Sequence, residues 1–269
     1  MSDFEFIPTE KQIQESNIYK FMQKHNLSSF DELSHKAKND LEWFWKSVDE
    51  DIGIVWDTPY EKILDTSKGI AWSKWFVNGK TNIYKSSVEK FVKTIPDKIA
   101  YYFESENGKT SNVSYSELDS KVSKLANGLK SLGVKKGDVI AIYLPMIEEA
   151  ILSILAAAKI GAIQTIIFSG YSSDSLHVRL KDCNAKILII SDGFYRKGKS
   201  ISQKQSVDIA LKNTMVETTI VIPYEGVDKY SETDNVIFYD TLVSSQDVMC
   251  ETEILDSEDP LFILYTSGT

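Results

Sequence analysis

V-I-A-I-Y-L-P-M-I-E-E-A-I-L-S-I-L-A-A-A-K-I-G-A-I-Q-T-I-I-F-S-G-Y, residues 139–171, is the stretch from which the fold can be read. Residues 139–144 are apolar and rich in β-branched side chains, which suits a strand buried on both faces. Pro145 has no N–H for a sheet ladder, so that strand should end there. Glu148 and Glu149 follow in a first helical turn, where negative charge complements the helix dipole. Ile151, Leu152, Leu155 and Ala158 carry the helix on, and Gly161 breaks it. Residues 163–168 are again apolar. Strand, helix and strand with short links predict a βαβ unit with parallel strands. Residues 150–168 have the length of a membrane span, but Lys159, Gln164 and the central Gly161 argue against one.

The alternation continues on both sides of this unit. Upstream, Ser114-Tyr115-Ser116-Glu117 has the spacing of a capping box. Leu118, Val122, Leu125, Leu129 and Leu132 then fall on one face of a helix that Gly133 ends. Before it, strands over 99–103 and 110–114 flank Asn107-Gly108, a hairpin signal, and residues 87–94 read as helical. Downstream, Ser173 is placed to cap a helix carrying Leu176 and Leu180. Strands over 187–190, 218–222, 236–239 and 261–264 follow, with a basic loop at 195–199 and a helix near 207–211. Such alternation predicts an α/β fold with a largely parallel sheet and flanking helices.

Residues 1–50 read as two helices, the first capped by Thr9 and the second opened by a Ser29/Glu32 capping box. Leu41, Phe44, Trp45 and Val48 recur at helical spacing. Trp43, Trp45, Trp56, Trp72 and Trp75 are all the tryptophans of the chain. A helical arm packing on a larger domain accounts for this clustering more simply than a site for an aromatic ligand.

Composition narrows the function classes. The 269 residues carry a net charge of −9, which disfavours a nucleic-acid surface. The opening residues MSDFEF lack a basic region followed by an apolar run, so no secretory signal and a cytoplasmic chain are expected. Cys183 and Cys250 have no paired spacing, and His25, His35 and His177 stand apart from other candidate ligands, so no metal site is expected.

Two segments carry the chemistry. A strand running into Tyr265-Thr266-Ser267-Gly268-Thr269 offers small residues whose successive N–H groups can point at one anion, with hydroxyls adding donors. Tyr195-Arg196-Lys197-Gly198-Lys199 puts three cations just past a strand end, where open α/β sheets place ligands. Taken singly, either segment also fits a plain connection or a solvated charge run. No G-x-G-x-x-G follows any strand, which disfavours a dinucleotide-dependent oxidoreductase.

Five segments in order resemble one family. They are W-S-K-W-F-V-N-G-K-T-N-I at 72–83, S-L-G-V-K-K-G-D-V-I-A-I-Y-L-P-M-I-E-E-A at 131–150, A-A-A-K-I-G-A-I-Q-T-I-I-F-S-G-Y-S at 156–172, A-K-I-L-I-I-S-D-G-F-Y-R-K-G-K at 185–199 and D-P-L-F-I-L-Y-T-S-G-T at 259–269. The sequence is similar to the AMP-forming acyl-CoA synthetases, in the acetyl-CoA synthetase branch of the adenylate-forming enzymes. The resemblance implies a helical N-terminal extension over 1–80 and part of an AMP-binding α/β domain over 81–269. It also implies an acid–CoA ligase that uses ATP with Mg to make an acyl-adenylate from a short-chain carboxylate and then passes the acyl group to CoA. By that likeness Thr266, Ser267, Gly268 and Thr269 open the loop for the ATP phosphates. Phe168, Ser169 and Gly170 border the CoA entrance, and Arg196 and Lys199 contact CoA's phosphorylated nucleotide end.

Two residues depart from the family pattern. Ser169 stands where glycine or alanine is frequent, and Lys199 where arginine is frequent, which removes bidentate geometry. The family's loop continues as Thr-Gly-x-Pro-Lys-Gly, so the sequence stops inside it. No catalytic residue or metal ligand of the family falls within the chain, which alone is expected to be inactive. A broken reading frame, a partial gene or a second polypeptide supplying the remainder would each explain this. The competing reading is a non-catalytic α/β module that keeps a CoA-binding or assembly surface. Small-molecule partners, and neither nucleic acid nor membrane, are expected.

Overall fold

The structure is a computed structural model that describes residues 6–106, 108–226 and 228–266. It divides into two compact units: the described residues up to Ile54 with Pro59–Gly79, and Val55–Thr58 with those from Lys80 onward. In chain order the helices are α1 (Glu10–Glu15), α2 (Asn17–Lys24), α3 (Phe30–Asn39), α4 (Leu41–Ile52), α5 (Lys90–Thr94), α6 (Tyr115–Ser131), α7 (Glu148–Lys159), α8 (Ser173–Asp182), α9 (Lys204–Ala210) and α10 (Tyr239–Ser244). The strands are β1 (Trp56–Thr58), β2 (Lys62–Asp65), β3 (Lys74–Val77), β4 (Lys80–Thr81), β5 (Ile99–Glu104), β6 (Thr110–Ser114), β7 (Val139–Tyr143) and β8 (Ile163–Ile166). They continue as β9 (Ile187–Ser191), β10 (Phe194–Arg196), β11 (Lys199–Ile201), β12 (Thr218–Ile222), β13 (Val236–Phe238), β14 (Leu255–Asp256) and β15 (Phe262–Ile263).

The larger unit is built on a six-stranded parallel sheet in the order β13-β12-β9-β7-β8-β15. Alternate residues of β7, β9 and β12 face opposite ways, so both sheet faces are apolar. Ile140, Ile142, Ile187, Ile189, Ile220 and Ile222 pack with α6 and α7. Ala141, Tyr143, Leu188, Ile190 and Val221 pack with α8 and α9 on the other face. The predicted βαβ unit is therefore present as β7-α7-β8, and the α/β reading with flanking helices holds. Among the described residues no helix is long and apolar enough to cross a membrane. Lys159, in the span considered for that role, lies buried against Asp119.

Several local expectations shift. The helical N-terminal region holds four helices over 10–52 rather than two, because Ser16 ends α1 in extended backbone and its side chain then caps α2. Ser29 caps α3, but Glu32 reaches the Ser28 N–H and hydroxyl at 2.7 Å, not Ser29. Ser172 caps α8 in place of Ser173. The capping box of α6 forms as read, with Ser114 and Glu117 each accepting the other's N–H. In the smaller unit, Phe21, Met22, Leu27 and Leu33 make a core against Trp43, Phe44 and Val48 of α4. Trp45 meets Trp75 edge-on at 5.8 Å, so these tryptophans serve packing, whereas Trp72 is exposed.

Candidate functional site

Chain connections leave β7 toward β8 on one side and reach β9 on the other, so the sheet order reverses between β7 and β9. At such a reversal the loops leaving the carboxyl ends of the two strands diverge and open a crevice. A cavity of about 620 Å³ lies there, lined by the loop after β7 (Leu144, Pro145, Met146) and by Phe194, Tyr195 and Arg196 beyond β9. Phe168 and Ser169 after β8, Tyr265 after β15, and Glu104 and Glu106 of the β5–β6 hairpin also line it. The basic segment is not a loop. Phe194–Arg196 pairs antiparallel with Lys199–Ile201, and Lys197 and Gly198 take positive φ of 50° and 77° in the two-residue turn. A two-residue hairpin turn of this kind needs positive φ at both positions, which Gly198 supplies without steric cost.

In this hairpin Arg196 and Lys199 are direct cross-strand partners. Paired residues project on one face, so two like charges meet there, an arrangement that costs stability unless an anion lies between them. Among the described residues neither cation forms a salt bridge with a carboxylate. The Arg196 guanidinium sits 5.5 Å from the centre of the Phe168 ring. Gly170 is held close beneath them: a Cβ there would stand 2.6 Å from Phe168 Cε1 and 2.8 Å from Arg196 Nη1. The structure thus brings Phe168, Ser169, Gly170 and Arg196 together, while Lys199 stays on the exposed hairpin outside the cavity lining. Thr266 is exposed next to the wall residue Tyr265; Ser267, Gly268 and Thr269 lie outside the described residues.

The supports come from residues with no motif. Gln203 is 2% exposed, donates from Nε2 to the Ser169 carbonyl at 3.2 Å and accepts the Ser191 hydroxyl at 3.0 Å, tying the 168–170 segment to β9. The Tyr143 hydroxyl donates to the Tyr171 carbonyl at 2.9 Å. Arg179 stacks between Tyr171 and Tyr265, at 4.6 and 5.2 Å from their rings. Tyr265 donates to Asp182 at 2.7 Å, and burial, then that carboxylate, push its phenol pKa well above the usual value. Asp192 accepts N–H groups of Tyr224, Glu225 and Gly226 at 2.8–2.9 Å, fixing the strand end from which the hairpin springs. Among the described residues no group of His, Cys, Asp or Glu side chains is arranged to hold a metal ion.

The sequence profile of the AMP-binding enzymes matches residues 88–269, and that of the acetyl-coenzyme A synthetase N-terminus matches 30–86. An acetyl-coenzyme A synthetase of Methanothrix thermoacetophila is 42% identical over 260 residues, 96% of this chain and 39% of that protein. One from Helicobacter pylori is 39% identical over 252 residues, 91% of this chain and 37% of its own length. An acetoacetyl-CoA synthetase structure from Streptomyces lividans superposes with a TM-score of 0.87 at 26% identity, over 97% of this chain and 41% of that one. The chain thus spans about two fifths of the length of these relatives. Because the AMP-binding profile covers more than half of its residues, the chain belongs to the AMP-binding enzyme family.

Proposed function

We propose that this chain supplies the CoA-facing part of an AMP-forming acid–CoA ligase. In that reaction a carboxylate oxygen attacks the α-phosphorus of ATP and pyrophosphate leaves. The CoA thiolate then attacks the acyl carbon, and AMP departs with the carboxylate oxygen. A short, acetate-like carboxylate fits the names of the relatives. The observation that carries the reading is the cross-strand pair Arg196–Lys199, two like charges without salt-bridge partners among the described residues, beside a cavity walled by Phe168 and Ser169. A phosphate bound between the cations would relieve their repulsion, and Phe168 and Gly170 would border the channel for the thiol arm.

ATP would approach from the β15 side, where Thr266 offers a hydroxyl, with Ser267, Gly268 and Thr269 continuing the phosphate loop. Magnesium, when bound with ATP, would neutralise phosphate charge; among the described residues no carboxylate cluster is arranged to hold it, so its ligands would come from beyond them. The reading implies the cytoplasm, where ATP and CoA are at hand.

The test is calorimetry of the 269-residue chain with CoA and with dephospho-CoA at two salt concentrations. Binding should favour CoA and weaken with salt, since a charge-assisted phosphate contact is worth roughly 1.5–3 kcal/mol at best and less when exposed. Arg196→Ala should erase most of the preference, and Lys199→Ala less of it, because an ammonium binds as a point charge. Equal affinity for the two nucleotides in the folded wild-type chain would refute the assignment.

A further inference from the structure

The β10–β11 hairpin is weakly anchored for an element that carries a ligand cation. Of its strand residues only Phe194 is buried, and the strand Lys199–Ile201 is exposed throughout. Among the described residues two side-chain hydrogen bonds restrain the rest: Ser200 donates its hydroxyl to Glu225 at 2.8 Å, and the Lys197 N–H donates to Glu106 Oε1 at 2.6 Å. Glu106 belongs to the turn of the other hairpin, β5–β6, whose strands pair at five positions against three in β10–β11. Val113 and Tyr101 pack into the core beneath it, and the turn closes through Ser105 N–H to Lys109 O at 2.8 Å and Gly108 N–H to Ser105 O at 2.9 Å. Both Glu106 and Arg196 line the same cavity, so the Glu106–Lys197 bond joins two hairpin tips across its rim.

We propose that Glu106 is a positioning residue: by accepting the Lys197 N–H it latches the β10–β11 turn to the fixed β5–β6 turn and sets where Arg196 presents its guanidinium. The ligand half of this inference rests on the CoA reading of Arg196 given above. Charge alone argues for the opposite effect. A carboxylate on the rim of an anion site repels the anion, as does Glu104 beside it, so its simple removal should tighten CoA binding. An acidic side chain at that place is therefore compensated only if it has a second role. The bond to an N–H at a positive-φ residue provides one, because rotation of that peptide would carry the neighbouring Arg196 away from Phe168 and Gly170.

Glu106→Gln and Glu106→Ala separate the two effects, since the glutamine keeps an acceptor oxygen without the charge. In ¹⁵N-resolved spectra of the full chain, the Lys197 amide should be downfield and slow to exchange in the wild type. It should remain so in Glu106→Gln and lose both signatures in Glu106→Ala. In calorimetry the preference for CoA over dephospho-CoA should stay within about twofold in Glu106→Gln and fall about tenfold in Glu106→Ala, the scale of one charge-assisted hydrogen bond to phosphate. A Lys197 amide indifferent to Glu106→Ala, or a CoA preference that rises equally in both variants, would overturn the latch. A Lys197 amide that responds as stated, in a wild-type chain that binds both nucleotides equally, would instead overturn the CoA reading and support the latch alone.

Discussion

Lys159 illustrates how a single buried charge is tolerated. It is 2% exposed, yet its ammonium lies 2.9 Å from Asp119, 4.0 Å from Glu89 and 4.2 Å from the centre of the Tyr84 ring. The Tyr84 hydroxyl donates to the same Asp119 oxygen at 2.7 Å, and burial, followed by that carboxylate, pushes its pKa far up. Lys159→Met would leave two carboxylates without their cation, so urea unfolding should show a loss of about 3–5 kcal/mol. A loss below about 1 kcal/mol would mean that water replaces the ammonium freely. At the cavity, Gly170→Ala makes a different kind of demand, since its new Cβ would press on the tips of two side chains and not on backbone. We expect an unchanged urea midpoint and a weakened CoA preference, read by calorimetry. The sequence marked Phe168, Gly170 and Arg196 through a family pattern. Gln203 and Glu106 were illegible because their partners lie 34 and 91 residues away, and nothing local announces such bonds.

Elements were legible where local chemistry and burial agree. The α6 helix starts at Ser114 as its capping box predicts, and β12 spans the apolar run Thr218–Ile222. Ser114→Ala removes the side-chain acceptor for the Glu117 N–H and should lower stability by about 1 kcal/mol in a urea titration. An unchanged midpoint would show that Glu117 alone holds the first turn. Strand ends were less legible: β8 stops at Ile166, two residues before the apolar run does, because after the Ile167 N–H donates to the Ile142 carbonyl of β7 at 2.8 Å the chain turns at Phe168 into the cavity wall. The β10–β11 hairpin was read as a charged loop since its strands are short and exposed and its pairing obeys turn geometry rather than hydrophobic alternation. Asn107, half of the other hairpin signal, lies outside the described residues, although β5 and β6 pair as expected.

At the scale of the molecule, acid-sensitive ion pairs hold the small antiparallel sheet β1-β4-β14, and the parallel sheet leaves one apolar edge. Around β14, Asp256 meets Lys80 at 2.7 Å and Asp259 meets Lys136 at 2.7 Å. Each carboxyl pKa is lowered, chiefly by the hydrogen bond from its lysine. A carboxyl depressed in the folded state contributes stability that is complete above its unfolded pKa, near about 4, and is lost as pH falls through the lower folded value. Urea midpoints should therefore hold from neutral pH to about 4 and decline below it, and Lys80→Met should flatten part of that decline. An identical acid slope in the variant would remove Asp256 from the account. One edge of the parallel sheet is β15, which pairs only with β8 among the described residues. Phe262 is 57% and Leu264 70% exposed, and Ile166 on β8 is exposed beside them. An apolar strand edge with free backbone donors and acceptors is a template for pairing with another chain. The 269-residue chain should therefore self-associate as its concentration rises, and sedimentation should show Phe262→Lys with Leu264→Lys shifting it toward monomer, because edge lysines oppose such pairing. A monodisperse wild-type monomer at high concentration would mean that this edge is covered from within the chain itself.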